Sequence, residues 1–380
     1  MKIVNKVLLS FMFSTSLIAQ ENHDQVINKI DKLVEKQLKR EEIHNVFLSL
    51  YSPSRDIEWH SANGAFCNGR EVTTENPFYT ASAGKTFTAT AIGLLVDQGK
   101  IGFDHPITNY LSDSIMMDLH LLNGIDYSDS IKISHLLQHT SGLADYFGDP
   151  TDHSTPLLDS IIAKKDKFWG PEELISYYKA HFKPLFAPGE GYGYTDTEYV
   201  LLGMIIENVS GKSFHEFLTD YIIIPLELNH TYLNLRSKPI QPTLAMAEMY
   251  SGEREISSFK SLSADWAGGA IVSTGKDLIN FQQALREGKL VTTETYKAMQ
   301  EWVPEEKGMS YGYGLRKINF KELFFALPKW EVIGHSGLNG TFMYYSSELD
   351  IYVAGTLNQL EASKEAVMLM VKVLMEINKL

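Results

Sequence analysis

Apolar residues recur along this chain with two periods, and the periods separate its ends from its middle. Over 24–40 they fall at Val26, Ile27, Ile30, Leu33, Val34 and Leu38, the spacing of one helical face. The run NVFLSLY that follows is strand-like. The turn-rich SPSRD and a second strand-like run, IEWHSANG, complete a hairpin pattern. The C-terminal end mirrors this order. TFMYYSS (341–347) and IYVAGTL (351–357) read as strands joined by a short polar turn. From Ser363 onward, Val367, Met370, Val371, Leu374 and Ile377 mark one face of a closing helix. The economical arrangement is α/β of the α+β type: an antiparallel sheet built from both chain ends and flanked by both terminal helices.

Between the ends the pattern changes. Helical stretches such as IKISHLLQHT and YVLLGMIIENVSGKSFHEFL alternate with turn-rich loops, among them FGDPTDHSTP and LFAPGEGYGYTD. Residues of about 105–262 are expected to form an inserted, mainly helical lobe. An α/β lobe is expected to take about 24–104 and 263–380. No internal repeat interrupts this division.

The first twenty residues, MKIVNKVLLSFMFSTSLIAQ, have the form of a secretory leader: Lys2 and Lys6, a short apolar run, and Ala19 near an expected cleavage site. The run is too short for a membrane span, so residues 21–380 are expected to be an exported domain, periplasmic or secreted, with no stable membrane insertion. The chain is 380 residues long, 44% hydrophobic, and carries a formal net charge of −13. That balance argues against nucleic-acid binding. The one cysteine, Cys67, cannot form an intramolecular disulfide, and is expected to serve packing.

The stretch TASAGKTFTATAIGLLVDQGK contains two candidate chemistries. Gly84-Lys85-Thr86 looks like the end of a phosphate loop. Such a loop needs a glycine five positions before Gly84, where this chain has Tyr79. Gly211-Lys212-Ser213 fails in the same way at Ile206. A zinc reading of His135 and His139 fails too, because Leu136 stands where a general-base glutamate is needed and no third ligand is evident. No metal or cofactor is implied.

Ser82 and Lys85 are the stronger pair. Spaced i and i+3, they share one face of a helix expected to run to Gly99. Ser82 would then stand in the first turn, where backbone amides and the helix dipole favour a developing oxyanion. A serine hydroxyl needs a base, and a lysine can act as one where desolvation lowers its pKa. Further along come Tyr194-Thr195-Asp196 and, just before a strand-like run, His335-Ser336-Gly337.

With these three motifs in this order, the chain resembles the serine β-lactamase and D-Ala-D-Ala carboxypeptidase superfamily, within the branch of class C β-lactamases and related penicillin-binding proteins and esterases. ISHLLQHTSGLADY, PGEGYGYTDTEYVLLGMIIENVSGKSF and AGGAIVSTGKDL extend the resemblance over nearly the whole chain. It implies the β-lactamase/transpeptidase-like fold and a serine hydrolase working through a covalent acyl-enzyme. Esters, D-amino-acid amides or peptidoglycan-type peptides are the implied small-molecule or short-peptide substrates. A class C-type β-lactamase, or a penicillin-binding sensor that does not turn over, is the alternative.

By the same resemblance Ser82 is acylated, Lys85 and Tyr194 move the proton, and the backbone amides of Ser82 and Leu338 form the oxyanion hole. Asp196, His335, Ser336 and Gly337 contact substrate. Two residues depart from the family pattern. Asp196 replaces an asparagine, so it can only accept hydrogen bonds when ionised and is expected to hold Lys85 charged. His335 replaces the lysine common in β-lactamases, and an unperturbed histidine is mostly neutral at pH 7. Loops around 146–156, Trp266 and 327–330 are expected to shape the cleft.

Overall fold

The computed structural model describes residues 22–150 and 157–380. The leader-like segment 1–20 and part of the loop 146–156 lie outside the described residues. Helix α1 covers 22–35. It buries Val26, Ile30 and Val34, three positions of the face the sequence predicts.

Eight antiparallel strands follow in the chain: β1 (Asn45–Ser52), β2 (Ile57–Gly64), β3 (Val303–Glu306), β4 (Met309–Tyr311), β5 (Arg316–Asn319), β6 (Glu331–Ser336), β7 (Phe342–Ser346) and β8 (Ile351–Thr356). They form one sheet in the order β3-β4-β5-β6-β7-β8-β1-β2. The N-terminal hairpin thus pairs with the C-terminal one: Leu50 lies opposite Trp59 on β2 and opposite Val353 on β8. The sheet is built from both chain ends, as the strand-like runs predict.

The period of two along β1 assigns its faces. Val46, Leu48 and Leu50 join Val353 and Tyr344 in a core closed by α1 and by the C-terminal helix Ser363–Ile377, through Met370, Leu374 and Ile377. Phe47, Met343 and Ala354 belong to the second core, shared with the rest of the molecule. Each large side chain removed from water in these two cores contributes about 1.5–3 kcal/mol.

That second core holds the elements that carry the candidate chemistry. Helix α2 (Lys85–Asp97) stacks Phe87 on Phe281 of the helix Gly275–Arg286, with ring centroids 3.7 Å apart. A small sheet that the hydrophobic pattern does not signal joins Phe78–Tyr79, Ile271–Ser273 and Tyr232–Leu233. Its strands have only two or three residues, too few for periodicity to register. Several short helices occupy the middle of the chain, with α3 (Asp196–Ser210) buried along most of its length. Cys67 differs from expectation: it is exposed rather than packed. It follows Phe66, which carries the burial in that turn. No helix among the described residues is long and apolar enough to cross a membrane.

Candidate active site

Ser82 sits in a tight turn between a strand and a helix. Thr80, just past the strand Phe78–Tyr79, is fixed by its amide and its hydroxyl, each donating to the Ile271 carbonyl at 2.9 Å. Ala81 then takes φ +46°, a left-handed conformation that costs a non-glycine residue energy and that tertiary contacts must maintain. Two glycines leave room for it. A Cβ on Gly269 would come within 2.5 Å of the Ala81 carbonyl group, and one on Gly337 within 2.6 Å of the Thr80 oxygen. The expected helix therefore starts later than the spacing suggests. Ala81–Gly84 is a 3-10 turn, and α2 begins at Lys85.

Lys85 is fully buried. Its ammonium donates to Asp196 Oδ1 in a very short contact, to the Gly268 carbonyl at 3.0 Å and to Ser82 Oγ at 3.4 Å. A Cβ on Gly268 would stand 2.5 Å from Asp196 Oδ1, so this position needs glycine to admit the pair. Burial alone would push the Lys85 pKa down. Asp196 and its neighbours outweigh that, and the ammonium is held above the ordinary lysine value.

Asp196 is the first residue of α3, whose start is tied to the loop after His139. Thr195 caps the helix by accepting from the Thr197 amide, and both threonine hydroxyls donate to the Ala144 carbonyl, at 3.0 and 2.7 Å. The Asp196 amide donates to Asp145 Oδ1 at 3.0 Å. Tyr194, just before the cap, lines the same cavity as Ser82, close enough for the serine to lower its phenol. The Lys85 ammonium lies 5.0 Å from the Tyr194 ring centre. Burial pushes the Tyr194 phenol up, Lys85 pulls it down, and Asp196 opposes Lys85.

Behind Tyr194 is a pair that the motif search does not single out. His139 Nδ1 is 2.5 Å from Glu198 Oε2, both groups being buried. The Thr195 amide also donates to that nitrogen, at 3.3 Å, so Nδ1 is the acceptor and Glu198 the protonated donor. Burial acts in the same sense, pushing His139 down and Glu198 up. The imidazole packs 4.3 Å from the Tyr194 ring, between centroids, and so supports the phenol without carrying charge.

Beside Ser82 lies a cavity of about 270 Å³. Ser82, Tyr194 and Leu338 line it together with Asp145, Asp196 and Asp265. The Leu338 amide donates to no other backbone group among the described residues. Asp265 accepts from the Tyr79 hydroxyl at 2.9 Å. Burial and the Asp196 charge push the Asp145 and Asp265 carboxyls up to about 7.

His335 is not among the lining residues. It is fully buried on β6, with Nε2 2.8 Å from the Tyr311 hydroxyl. Burial and Arg316 keep it neutral, well below the usual histidine range. The permanent cation in this corner is Arg316 on β5. It donates to Ser336 Oγ at 3.1 Å and forks onto Glu305 at 2.7 and 2.5 Å.

The sequence profile of the family described as Beta-lactamase matches residues 30–372. The chain belongs to the beta-lactamase family. Its members related to this chain are serine hydrolases. The chain is similar to penicillin-binding protein 4* of Bacillus subtilis (strain 168), 27% identical over 336 residues, covering 80% of this chain and 67% of that protein. It spans less of other curated relatives, 56% and 48% for two of them. Among solved structures it resembles a D-stereospecific amidohydrolase from Streptomyces sp., with a TM-score of 0.72, 26% identity, and coverage of 89% and 96% of the two chains. It also resembles the D-amino acid amidase of Ochrobactrum anthropi SV3 complexed with L-phenylalanine amide, with a TM-score of 0.75, 25% identity, and coverage of 93% and 99%.

Of the residues that the family motifs single out, Ser82, Lys85, Tyr194 and Asp196 converge within hydrogen-bond or ring contact. Gly337 and Leu338 pass beside the Ser82 turn, while Ser336 bonds Arg316. Trp266 is buried against Phe214 and does not line the cavity, nor do residues 327–330. Phe147 and Gly148, from the 146–156 loop, do. Asp145, Asp265, Arg316 and the His139–Glu198 pair are the polar groups that motif spacing alone misses.

Proposed function

We propose that the chain hydrolyses amides or esters of D-amino acids, or short peptides ending in them, through an acyl-enzyme on Ser82. It would work as a carboxypeptidase or amidase. The observation that carries this reading is the Lys85 ammonium on Ser82 Oγ, with the Tyr194 ring beside that ammonium, at the edge of a cavity large enough for a small acyl group. The activities of the two amide-hydrolysing structural relatives support the substrate class.

The short contact to Asp196 keeps Lys85 as an ammonium, so Tyr194 is the better proton acceptor. Burial holds the phenol above the ordinary tyrosine value, and the nearby ammonium is what pulls it back towards the phenolate. Ser82 Oγ bonds to the substrate carbonyl carbon as its proton moves to the phenolate. The carbonyl oxygen takes negative charge between the amides of Ser82 and Leu338. When the carbon–nitrogen or carbon–oxygen bond breaks, Tyr194 returns the proton to the leaving amine or alcohol. Water then attacks the ester by the same route, and Ser82 is regenerated. Asp196, Ser336 and Gly337 bound the substrate on either side. His335 acts at one remove, through Ser336.

The first twenty residues support export, which N-terminal sequencing of the mature protein would test. The activity test is release of ammonia from D-phenylalanine amide and of D-alanine from an acyl-D-alanyl-D-alanine peptide. Turnover of at least one, lost in Ser82→Ala, is expected. Folded protein inactive on both would defeat the reading.

A further inference from the structure

The cavity has a charge pattern that acylation of Ser82 does not require. Among the described residues, three carboxylates line it, and no lysine, arginine or histidine does. Asp196 is committed to Lys85. Asp145 and Asp265 have no salt-bridge partner among the described residues. Asp145 accepts only backbone amides, from Asp196, Phe147 and Gly148, at 3.0, 3.2 and 3.0 Å. Asp265 takes the Tyr79 hydroxyl on Oδ2, and nothing among the described residues donates to Oδ1. The rest of the lining is largely apolar, including Leu158, Ile161, Ile162, Met249 and Ile256.

A pocket with two carboxyl groups free of any salt-bridge partner among the described residues, between apolar walls, suits a ligand with a cationic amine beside an apolar group. It is a poor site for a carboxylate. We propose that this cavity selects acyl groups bearing a free, protonated amine next to an apolar side chain, with the ammonium on Asp265 and Asp145 as the second negative charge. The preferred substrates are then amides or esters of unblocked apolar amino acids, and N-acylated analogues are discriminated against. The proposal rests on the reading that Ser82 is the acylated residue at this cavity.

The raised carboxyl pKa values fit this role. Burial and mutual repulsion are unrelieved in the free cavity, and an entering ammonium relieves them. Asp265 is the key group, because one of its oxygens remains available.

The test separates binding from turnover. Calorimetry would compare 2-phenylethylamine with its neutral analogue 2-phenylethanol on the wild-type protein, on Ser82→Ala and on Asp265→Asn. The amine is expected to bind at least about tenfold tighter than the alcohol, the worth of one charge-assisted hydrogen bond. Ser82→Ala should keep that preference and Asp265→Asn should lose most of it. In parallel, wild-type kcat/KM should favour D-phenylalanine p-nitroanilide over its N-acetyl derivative by a similar factor. Equal binding of amine and alcohol overturns the proposal, as does a preference that survives both Asp265→Asn and Asp145→Asn in variants that melt like the wild type. Loss of turnover in Ser82→Ala bears on the acylation step alone. If wild type turns over neither anilide, the acylation reading fails, and the binding ratio still decides the amine preference.

Discussion

Lys85 donates to Asp196 Oδ1 from a position where water does not reach it, and the same ammonium lies 3.4 Å from Ser82 Oγ. One carboxylate therefore sets the charge of the group nearest the candidate nucleophile. Replacing Asp196 with asparagine keeps the acceptor oxygen and removes the charge. Burial would then act on Lys85 uncompensated and lower its pKa. Asp196→Asn is expected to make neutral Lys85 available as a base and to raise amide turnover relative to ester turnover by about tenfold, the worth of one pKa unit. It should also cost stability, about 1–3 kcal/mol for a buried charge left poorly matched. Parallel kcat/KM values for an amide and an ester of one acyl group, with urea melts, check both. An unchanged amide-to-ester ratio would count against this role for Asp196.

The Tyr194 phenol lies close enough to Ser82 to be lowered by it, and its ring packs on His139 and Tyr311. Tyr194→Phe removes the first contact and keeps the second. We expect kcat/KM to fall by about 10²–10⁴ while the melting temperature stays within a few degrees of wild type. Near-normal activity in this variant would return the proton transfer to Lys85.

The turn before Ser82 depends on a glycine far away in the chain. Gly269→Ala places a methyl group within 2.5 Å of the Ala81 backbone carbonyl, which has no side-chain freedom with which to yield. The turn should shift and misplace Ser82. A loss of at least about a hundredfold in activity is expected, since small misplacements of reacting groups cost that much. A spectrum and melt close to wild type beside full activity would contradict the placement of that turn.

Two sets of buried groups should oppose each other in how stability depends on pH. Asp145 and Asp265 have pKa values raised from 3.8 to about 7. Between those values the folded state binds more protons than the unfolded chain, so stability falls as pH rises through the window. His139 and His335 are held well below 6.5. Here the unfolded chain binds more protons, so their contribution is present above 6.5 and is lost as pH falls below it. Melting temperatures from pH 4.5 to pH 8.5 would show it. Between pH 4.5 and about 6.5 the two sets oppose each other, so Asp265→Asn should make stability rise more steeply with pH there and His335→Gln should make it fall more steeply. Identical profiles in both variants would sink the assignment.

How far these features could be read in advance follows from their distance along the chain. Ser82 and Lys85 are three residues apart, and Tyr194 and Asp196 two apart, so local spacing and motif order suffice to find them. The strand-like runs of β1, β7 and β8 expose the sheet, because these strands are buried on both faces and so are written as short apolar stretches between turns. Asp145 and Asp265 are 120 residues apart and meet only because α3 and the Gly268–Gly269 turn bring them to one cavity. Arg316 and Glu305 lie on short strands with no motif around them. The orientation of His335 was illegible for another reason. On a strand the side chain points to one face or the other, and the face was set by Tyr311, two strands away in the sheet. Cys67 departs from the expected packing because a small apolar residue is usually buried, and only the fold shows that its turn faces water.

The most direct test of acylation at Ser82 is the mass of the protein quenched in acid within a second of mixing with the p-nitrophenyl ester of D-phenylalanine. The expected result is a mass gain of one phenylalanyl group on the peptide containing Ser82, with neither the gain nor enzymatic ester hydrolysis remaining in folded Ser82→Ala. An adduct on another residue, or ester hydrolysis that survives in Ser82→Ala, would contradict it.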